Sequence, residues 1–242
     1  MKLLSKLREL LLELGPAATI GHLMRRAALE LARYRPSQLH DRRVRALKEA
    51  RFDSEFAVVT GGDARLSKLS IASVNRRFGV DYRGVDPEEF VRGFSQLPVR
   101  HEEFVFIDLG SGKGRALLLA AKFPFRRLIG VEFARELHEI AEANVLNLPN
   151  PPGKEPQVQL HCMDATEFDF PREALVVFLY NPFGPEVIAR VAQRLLDSYV
   201  AYPRPVYVLY INPFYLGPWQ ALGFRTVTSG DPFVILVPPQ RD

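Results

Sequence analysis

The chain has a single cysteine, Cys162, and a single tryptophan in 242 residues. One thiol builds no internal disulfide, which excludes a disulfide scaffold and leads us to expect a reducing, cytoplasmic setting. The five histidines, at positions 22, 40, 101, 138 and 161, form neither an HExxH pattern nor part of a paired-cysteine site, so no metal centre is expected. There is no run of about eighteen uncharged apolar residues, so no membrane-spanning helix and no integral membrane contact are expected. The opening MKLLSKLRELLLELG scatters Lys6, Arg8, Glu9 and Glu13 among its leucines, which is unlike the core of a signal peptide. What is present is ordinary: 47% hydrophobic and 25% charged residues exclude disordered and collagen-like classes. The length suits one sizeable domain with an appendage.

Charge is unevenly placed. Residues 1–100 carry 19 basic and 12 acidic side chains, a net +7, whereas the remainder carries 13 and 16, a net −3. A basic, helical amino-terminal extension with a connecting or cap region (1–100) is therefore expected ahead of a mildly acidic domain (101–242). Leucines at helical spacing predict helices over 3–14 and 16–33, and a third, Arg-rich helix near 38–51 with Arg42, Arg43, Arg45, Lys48 and Arg51. Such stripes are expected to dock on the protein's own core, with a membrane-surface position as the other reading. Between 52 and 100, glycines and prolines punctuate short apolar pieces. One helix is predicted at Pro87–Phe94, in an irregular section packing beside the main domain as a possible flap over a ligand.

From Glu103 onward, apolar runs alternate with helical stretches. FVFIDL (104–109), RRLIGVE (126–132), QVQLHCMD (157–164), ALVVFLYN (174–181) and PVYVLYIN (205–212) read as strands. Helices are predicted at 113–123, 134–148 and 185–200, with a short piece around Trp219. Continuous apolar strands separated by helices are what a buried parallel sheet, covered on both faces, requires. FRTVTSG (224–230) and PFVILVPP (232–239), joined by Gly230-Asp231-Pro232, predict a terminal hairpin and hence an antiparallel strand. The expected fold is α/β: a doubly wound, mostly parallel, seven-stranded Rossmann-like sheet with that hairpin, preceded by the helical extension.

In open α/β sheets, ligands bind at the carboxyl ends of the strands. Here the first strand ends in Asp108-Leu109-Gly110-Ser111-Gly112-Lys113-Gly114. Dinucleotide enzymes typically use GxGxxG, and a Walker loop needs GxxxxGK[ST]. This GxGxG spacing fits neither. The second strand ends at Glu132, a carboxylate suited to ribose hydroxyls, and the third at Met163-Asp164. The fourth ends at Tyr180-Asn181-Pro182-Phe183. Either acid alone is compatible with a helix or turn cap. Four successive strand ends, each with a polar group on one rim, are harder to explain as caps.

With those residues in view, 104–239 resembles the class I, seven-strand S-adenosylmethionine-dependent methyltransferases, and among them the small bacterial members. DLGSGKG resembles the first motif of that family and also the wording of non-SET lysine methyltransferases. Gly130-Val131-Glu132 resembles the second motif, Met163-Asp164-Ala165 the third and Tyr180-Asn181-Pro182-Phe183 the fourth. The resemblance implies S-adenosyl-L-methionine as cofactor. It implies that Asp108 and the Gly110, Ser111, Gly112 and Gly114 backbone hold the methionine portion, and that Glu132 holds the ribose. Phe133 would lie against the adenine, and Asp164, with the Ala165 amide nearby, would take its amino group. Asn181 and Pro182 would line the transfer point, with Tyr180 and Phe183 around the acceptor. Amino-group methyltransferases of DNA bases and glutamine carry a second proline before the aromatic. Its absence here points toward a protein lysine or small amine, with nucleic acid left open.

Cys162 is expected to be a buried small residue rather than a reactive thiol. A second Asn-Pro-Phe, at 212–214, raises the idea that Tyr210, Asn212 and Phe214 help shape an acceptor site, against the plainer reading of a strand-ending turn. Two readings from other classes stand beside the enzyme. One is a non-catalytic cofactor-binding scaffold that engages an acidic partner through the basic helices. The other is a nicotinamide oxidoreductase, which GxGxG and the terminal hairpin disfavour. The sequence names neither the acceptor nor the oligomeric state.

Overall fold

The computed structural model describes residues 36–148 and 157–240. The helices expected at 3–14 and 16–33 and the loop expected at 150–156 lie outside these. The chain divides into two units, 1–48 and 49–242. The Arg-rich helix, α1, runs over Pro36–Phe56, and its residues from Glu49 on belong to the second unit. Among the described residues, no helix is long and apolar enough to cross a membrane.

The second unit is built on seven strands. They are β1 (Phe104–Leu109), β2 (Arg127–Glu132), β3 (Val158–Cys162), β4 (Ala174–Tyr180), β5 (Val206–Ile211), β6 (Arg225–Gly230) and β7 (Phe233–Val237). Their order is β3-β2-β1-β4-β5-β7-β6; β1 to β5 are parallel, and β7 runs antiparallel to both β5 and β6. This is the doubly wound sheet with a terminal hairpin that the apolar runs predicted. The helices are α2 (Pro87–Phe94), α3 (Arg115–Ala120), α4 (Arg135–Val145), α5 (Pro185–Ala201) and α6 (Gly217–Ala221).

Successive strand residues face opposite ways, so each central strand feeds two cores. Phe106, Val176, Phe178 and Leu209 pack with Phe90 and Phe94 of α2 and Leu117 and Leu118 of α3. Val105, Ile107, Val177 and Val208 pack with Val187, Val191 and Leu195 of α5 and with Trp219 of α6. β1 is buried along its whole length, which accounts for its unbroken apolar run. The edge strands differ. β6 is largely exposed, and so is Cys162, the last residue of β3. That overturns the expectation of a buried cysteine: the residue ends an edge strand, where the sheet supplies cover on one side only. Partial desolvation still pushes its thiol pKa above the ordinary value, so it is not an activated nucleophile.

Helix α3 starts two residues later than the pattern predicted, because Gly112 and Gly114 take φ of 54° and 84°, outside helical space. The section between α1 and α2 has little regular structure, with short 3-10 turns at Leu66–Lys68 and Val74–Phe78. It is nevertheless well tied down. Asp53 Oδ2 accepts from the Thr60 and Gly61 amides at 2.9 and 2.8 Å. Glu49 Oε2 accepts from Gly62 N at 3.0 Å. At its middle, Glu136 in the first turn of α4 accepts from Ser70 N at 2.9 Å.

Candidate functional site

β1 lies between β2 and β4, so chain connections leave it in both directions and the strand order reverses there. A crevice opens at such a switch point, beyond the carboxyl ends of the strands. Here a narrow cleft is lined by Asn75, Gly110, Val131, Phe133, Met163, Asp164, Ala165, Phe183 and Val187. Gly110, Phe133, Asp164, Ala165 and Phe183, drawn from four separate strand ends, thus come together.

The glycine loop is shaped by close neighbours. A Cβ on Gly110 would lie 2.4 Å from Pro182 Cβ, and one on Gly112 would lie 2.2 Å from the Tyr82 ring. Both glycines have positive φ, 77° and 54°, so the loop needs them for conformation and for space. Ser111 is buried in the same turn, and its carbonyl accepts from Gly114 N at 2.8 Å.

Two buried acids sit beneath the loop. Asp108 is 3% exposed, and burial, with the Glu132 charge adding to it, holds its carboxyl well above the ordinary range. Glu132 accepts from Gly112 N and Ala134 N, each at 2.8 Å. Burial raises its pKa, and these backbone bonds oppose the rise. The Phe133 amide bonds to it as well, so of the roughly four acceptor positions of a carboxylate about one remains.

Asp164 is more heavily engaged. It caps the 3-10 turn Ala165–Glu167, accepting at Oδ1 from Thr166 N at 2.8 Å and Thr166 Oγ1 at 2.7 Å. At Oδ2 it accepts from Asn75 Nδ2 at 2.8 Å and, through a short bond, from Ser73 Oγ. Burial pushes its carboxyl up, but the bonds from Ser73, Thr166 and Asn75 outweigh this and hold it below the ordinary value.

At the fourth strand end, Asn181 takes a left-handed φ of 45°, and Asn212 takes 51°. Asparagine tolerates this region because its short polar side chain bonds locally. Leu179 pairs with Tyr210 and Tyr180 with Ile211, so the two Asn-Pro-Phe segments leave neighbouring strands side by side. The Tyr210 hydroxyl donates to Asn181 Oδ1 at 3.4 Å, and burial pushes that phenol up to about 12, so it remains a proton donor at neutral pH. Asn212 N donates to Pro232 O at 2.7 Å, and Phe214 is 73% exposed. Phe183 faces the cleft, whereas Tyr180 packs against the core beneath α2 and α3. The structure therefore separates these two aromatics, which the sequence reading had placed together around an acceptor.

Residues 60–84 supply contacts that the motif analysis did not identify. Tyr82 lies on Gly112, and its hydroxyl donates to Thr60 O at 2.7 Å. Lys113 Nζ stands 5.0 Å from the Tyr82 ring centre and donates to Gly61 O. Arg115, 2% exposed, donates from Nε to Thr60 Oγ1 at 2.8 Å. Gly79 bridges to Phe183, and Gly184 N donates to Phe78 O at 2.6 Å. No periodicity marks this stretch. The one sequence signal is its scatter of small residues and glycines, which permit close approach.

No protein-family model matches the chain, and no curated protein sequence does. Solved structures resemble it. One is a ribosomal protein L11 methylase from Lactobacillus delbrueckii subsp. bulgaricus, 16% identical over 63% of this chain and 78% of that one, with a TM-score of 0.46. Another is an RNA methyltransferase from Salinibacter ruber in complex with S-adenosyl-L-homocysteine, 22% identical over 66% and 96%, with a TM-score of 0.47. A third is a predicted N6-adenine-specific DNA methylase from Listeria monocytogenes str. 4b F2365, 14% identical over 63% and 50%, with a TM-score of 0.49. At such identities the likeness bears on neither activity nor acceptor. The fold rests on this chain's own strand order.

Proposed function

We propose that this protein is an S-adenosylmethionine-dependent methyltransferase acting on a nitrogen nucleophile, with a protein lysine or small amine as the favoured acceptor. One observation carries the reading. A crevice at the switch point is lined by Gly110, Phe133, Asp164, Ala165 and Phe183, which come from the carboxyl ends of β1 to β4.

The residues present fit such a cofactor. Val131, Phe133, Met163, Ala165 and Val187 are apolar residues of the cleft lining and Asp164 and Asn75 its polar ones, a mixture whose chemistry suits a purine. Glu132 would offer its remaining acceptor position to a ribose hydroxyl. The glycine loop and Asp108 would hold the amino-acid portion.

The cofactor supplies an electrophilic methyl carbon on a sulfonium, so transfer is a direct displacement. The protein's part is alignment, which in well-oriented systems lowers barriers by roughly 7–11 kcal/mol. Asn181 is suited to that part. Its backbone is held at an unusual φ, its amide oxygen is oriented by Tyr210, and a carbonyl oxygen accepts a second donor. There it would accept an N–H of the incoming amine and so help to orient its lone pair, with Phe183, which lines the cleft, beside the acceptor. The names of the three similar structures span protein, RNA and DNA acceptors, so they favour none.

The test begins with the full chain titrated against S-adenosylhomocysteine and NADH. Binding of the first alone is expected, and binding of NADH alone would overturn the reading. Mass spectrometry of lysates treated with active protein would then seek a methyl-sized mass increase on an acceptor.

A further inference from the structure

We infer that Asn75, from outside the four strand-end motifs, meets the 6-amino group of the adenine, and that Asp164 works by positioning Asn75. This rests on the proposed cofactor.

The argument is one of hydrogen-bond capacity. A purine amino group is a donor and needs an acceptor in the cleft. Asp164 already receives Thr166 N, Thr166 Oγ1, Asn75 Nδ2 and Ser73 Oγ, which fills the roughly four positions a carboxylate offers. Asn75 is 5% exposed and lines the cleft. Its Nδ2 donates to Asp164 Oδ2 at 2.8 Å and to Thr166 Oγ1 at 3.3 Å, so both amide hydrogens are engaged. Its Oδ1 accepts from Arg190 Nη1 at 3.3 Å, and a carbonyl oxygen has a second lone pair.

The amide orientation follows from its neighbours: nitrogen toward a carboxylate, oxygen toward a guanidinium. The backbone is held as well, since Ser73 Oγ accepts from Asn75 N at 2.9 Å and thereby caps the turn that carries the residue. Asp164 is thus a positioning residue, and the acceptor with a lone pair to spare belongs to Asn75. A base with a 6-oxo group would set oxygen against oxygen there and be rejected.

The test compares S-adenosylhomocysteine with S-inosylhomocysteine, which differ at that one group, by calorimetric titration of the full chain. The wild type is expected to prefer the adenine compound by about tenfold or more. Asn75→Ala is expected to bring the two affinities within about twofold of each other. A general structural lesion would weaken both ligands and leave their ratio standing. An unchanged ratio in Asn75→Ala, or a wild type that binds both equally, overturns the inference. So does a ratio lost in Asp164→Asn but kept in Asn75→Ala, which would return the contact to Asp164. Should Asn75→Ala not fold, the nearly isosteric Asn75→Leu decides: it also removes the amide oxygen, so the preference is expected to fall, and an undiminished preference is refuting. A wild type that binds neither compound defeats the cofactor assignment itself, a different result from an altered ratio.

Discussion

Gly112→Ala probes the glycine loop at the point where Tyr82 packs against it. At φ of 54°, an alanine occupies left-handed space, which costs roughly 1–2 kcal/mol. The new methyl would also lie 2.2 and 2.3 Å from two Tyr82 ring carbons. That ring cannot simply slide away. Its hydroxyl is anchored on Thr60 O at 2.7 Å, and Lys113 Nζ stands 5.0 Å from its centre. Overpacking of this kind costs about 1–3 kcal/mol, so the expected total is roughly 2–5 kcal/mol. Urea unfolding of four proteins (wild type, Gly112→Ala, Tyr82→Ala and the double variant) separates the two contributions. The double variant keeps the backbone strain but loses the clash, so a favourable coupling of about 1–3 kcal/mol is expected. Additive single effects would refute the claim that Tyr82 presses on the loop.

Other consequences follow from the same geometry. Glu132→Ala should weaken S-adenosylhomocysteine binding about 10- to 150-fold, the equivalent of a charge-assisted bond of roughly 1.5–3 kcal/mol; unchanged affinity in calorimetry would misplace the ribose. Asp108 has its folded pKa raised by burial, so the folded state binds more protons than the unfolded one between the ordinary carboxylate value and the raised one. Stability should therefore fall as pH rises through that window, and Asp108→Asn should flatten the trend while impairing cofactor binding; denaturation midpoints against pH would show an unaltered slope if the reasoning fails. Asn212→Ala should slow turnover on the identified acceptor and spare cofactor affinity, whereas full turnover would return the second Asn-Pro-Phe to an ordinary strand end.

Much of the sheet was legible because burial and sequence pattern coincide. β1, β4 and β5 are central strands, and their continuous apolar runs marked them to within a residue or two. The terminal hairpin was equally readable from its turn residues. The start of α3 was not, because a positive φ at Gly112 and Gly114 has no signature beyond the glycine itself. Cys162 was misread because a strand's sequence does not say whether it lies at the edge. Tyr180 and Phe183 look like one aromatic pair in the chain, yet the turn at Asn181 sends them to different surroundings.

By itself the sequence determined the elements and their alternation, and through them the rim where strand ends deliver glycines, acids and an asparagine. These are local properties, set by periodicity and backbone preference over a few residues. Only the tertiary structure decided what each acid holds. Asp164 lies 89 residues from Asn75, and their bond exists because an irregular segment folds back over the crevice. Hydrogen-bond capacity is shared among whichever groups the fold brings within about 3 Å, and no local pattern records that sharing.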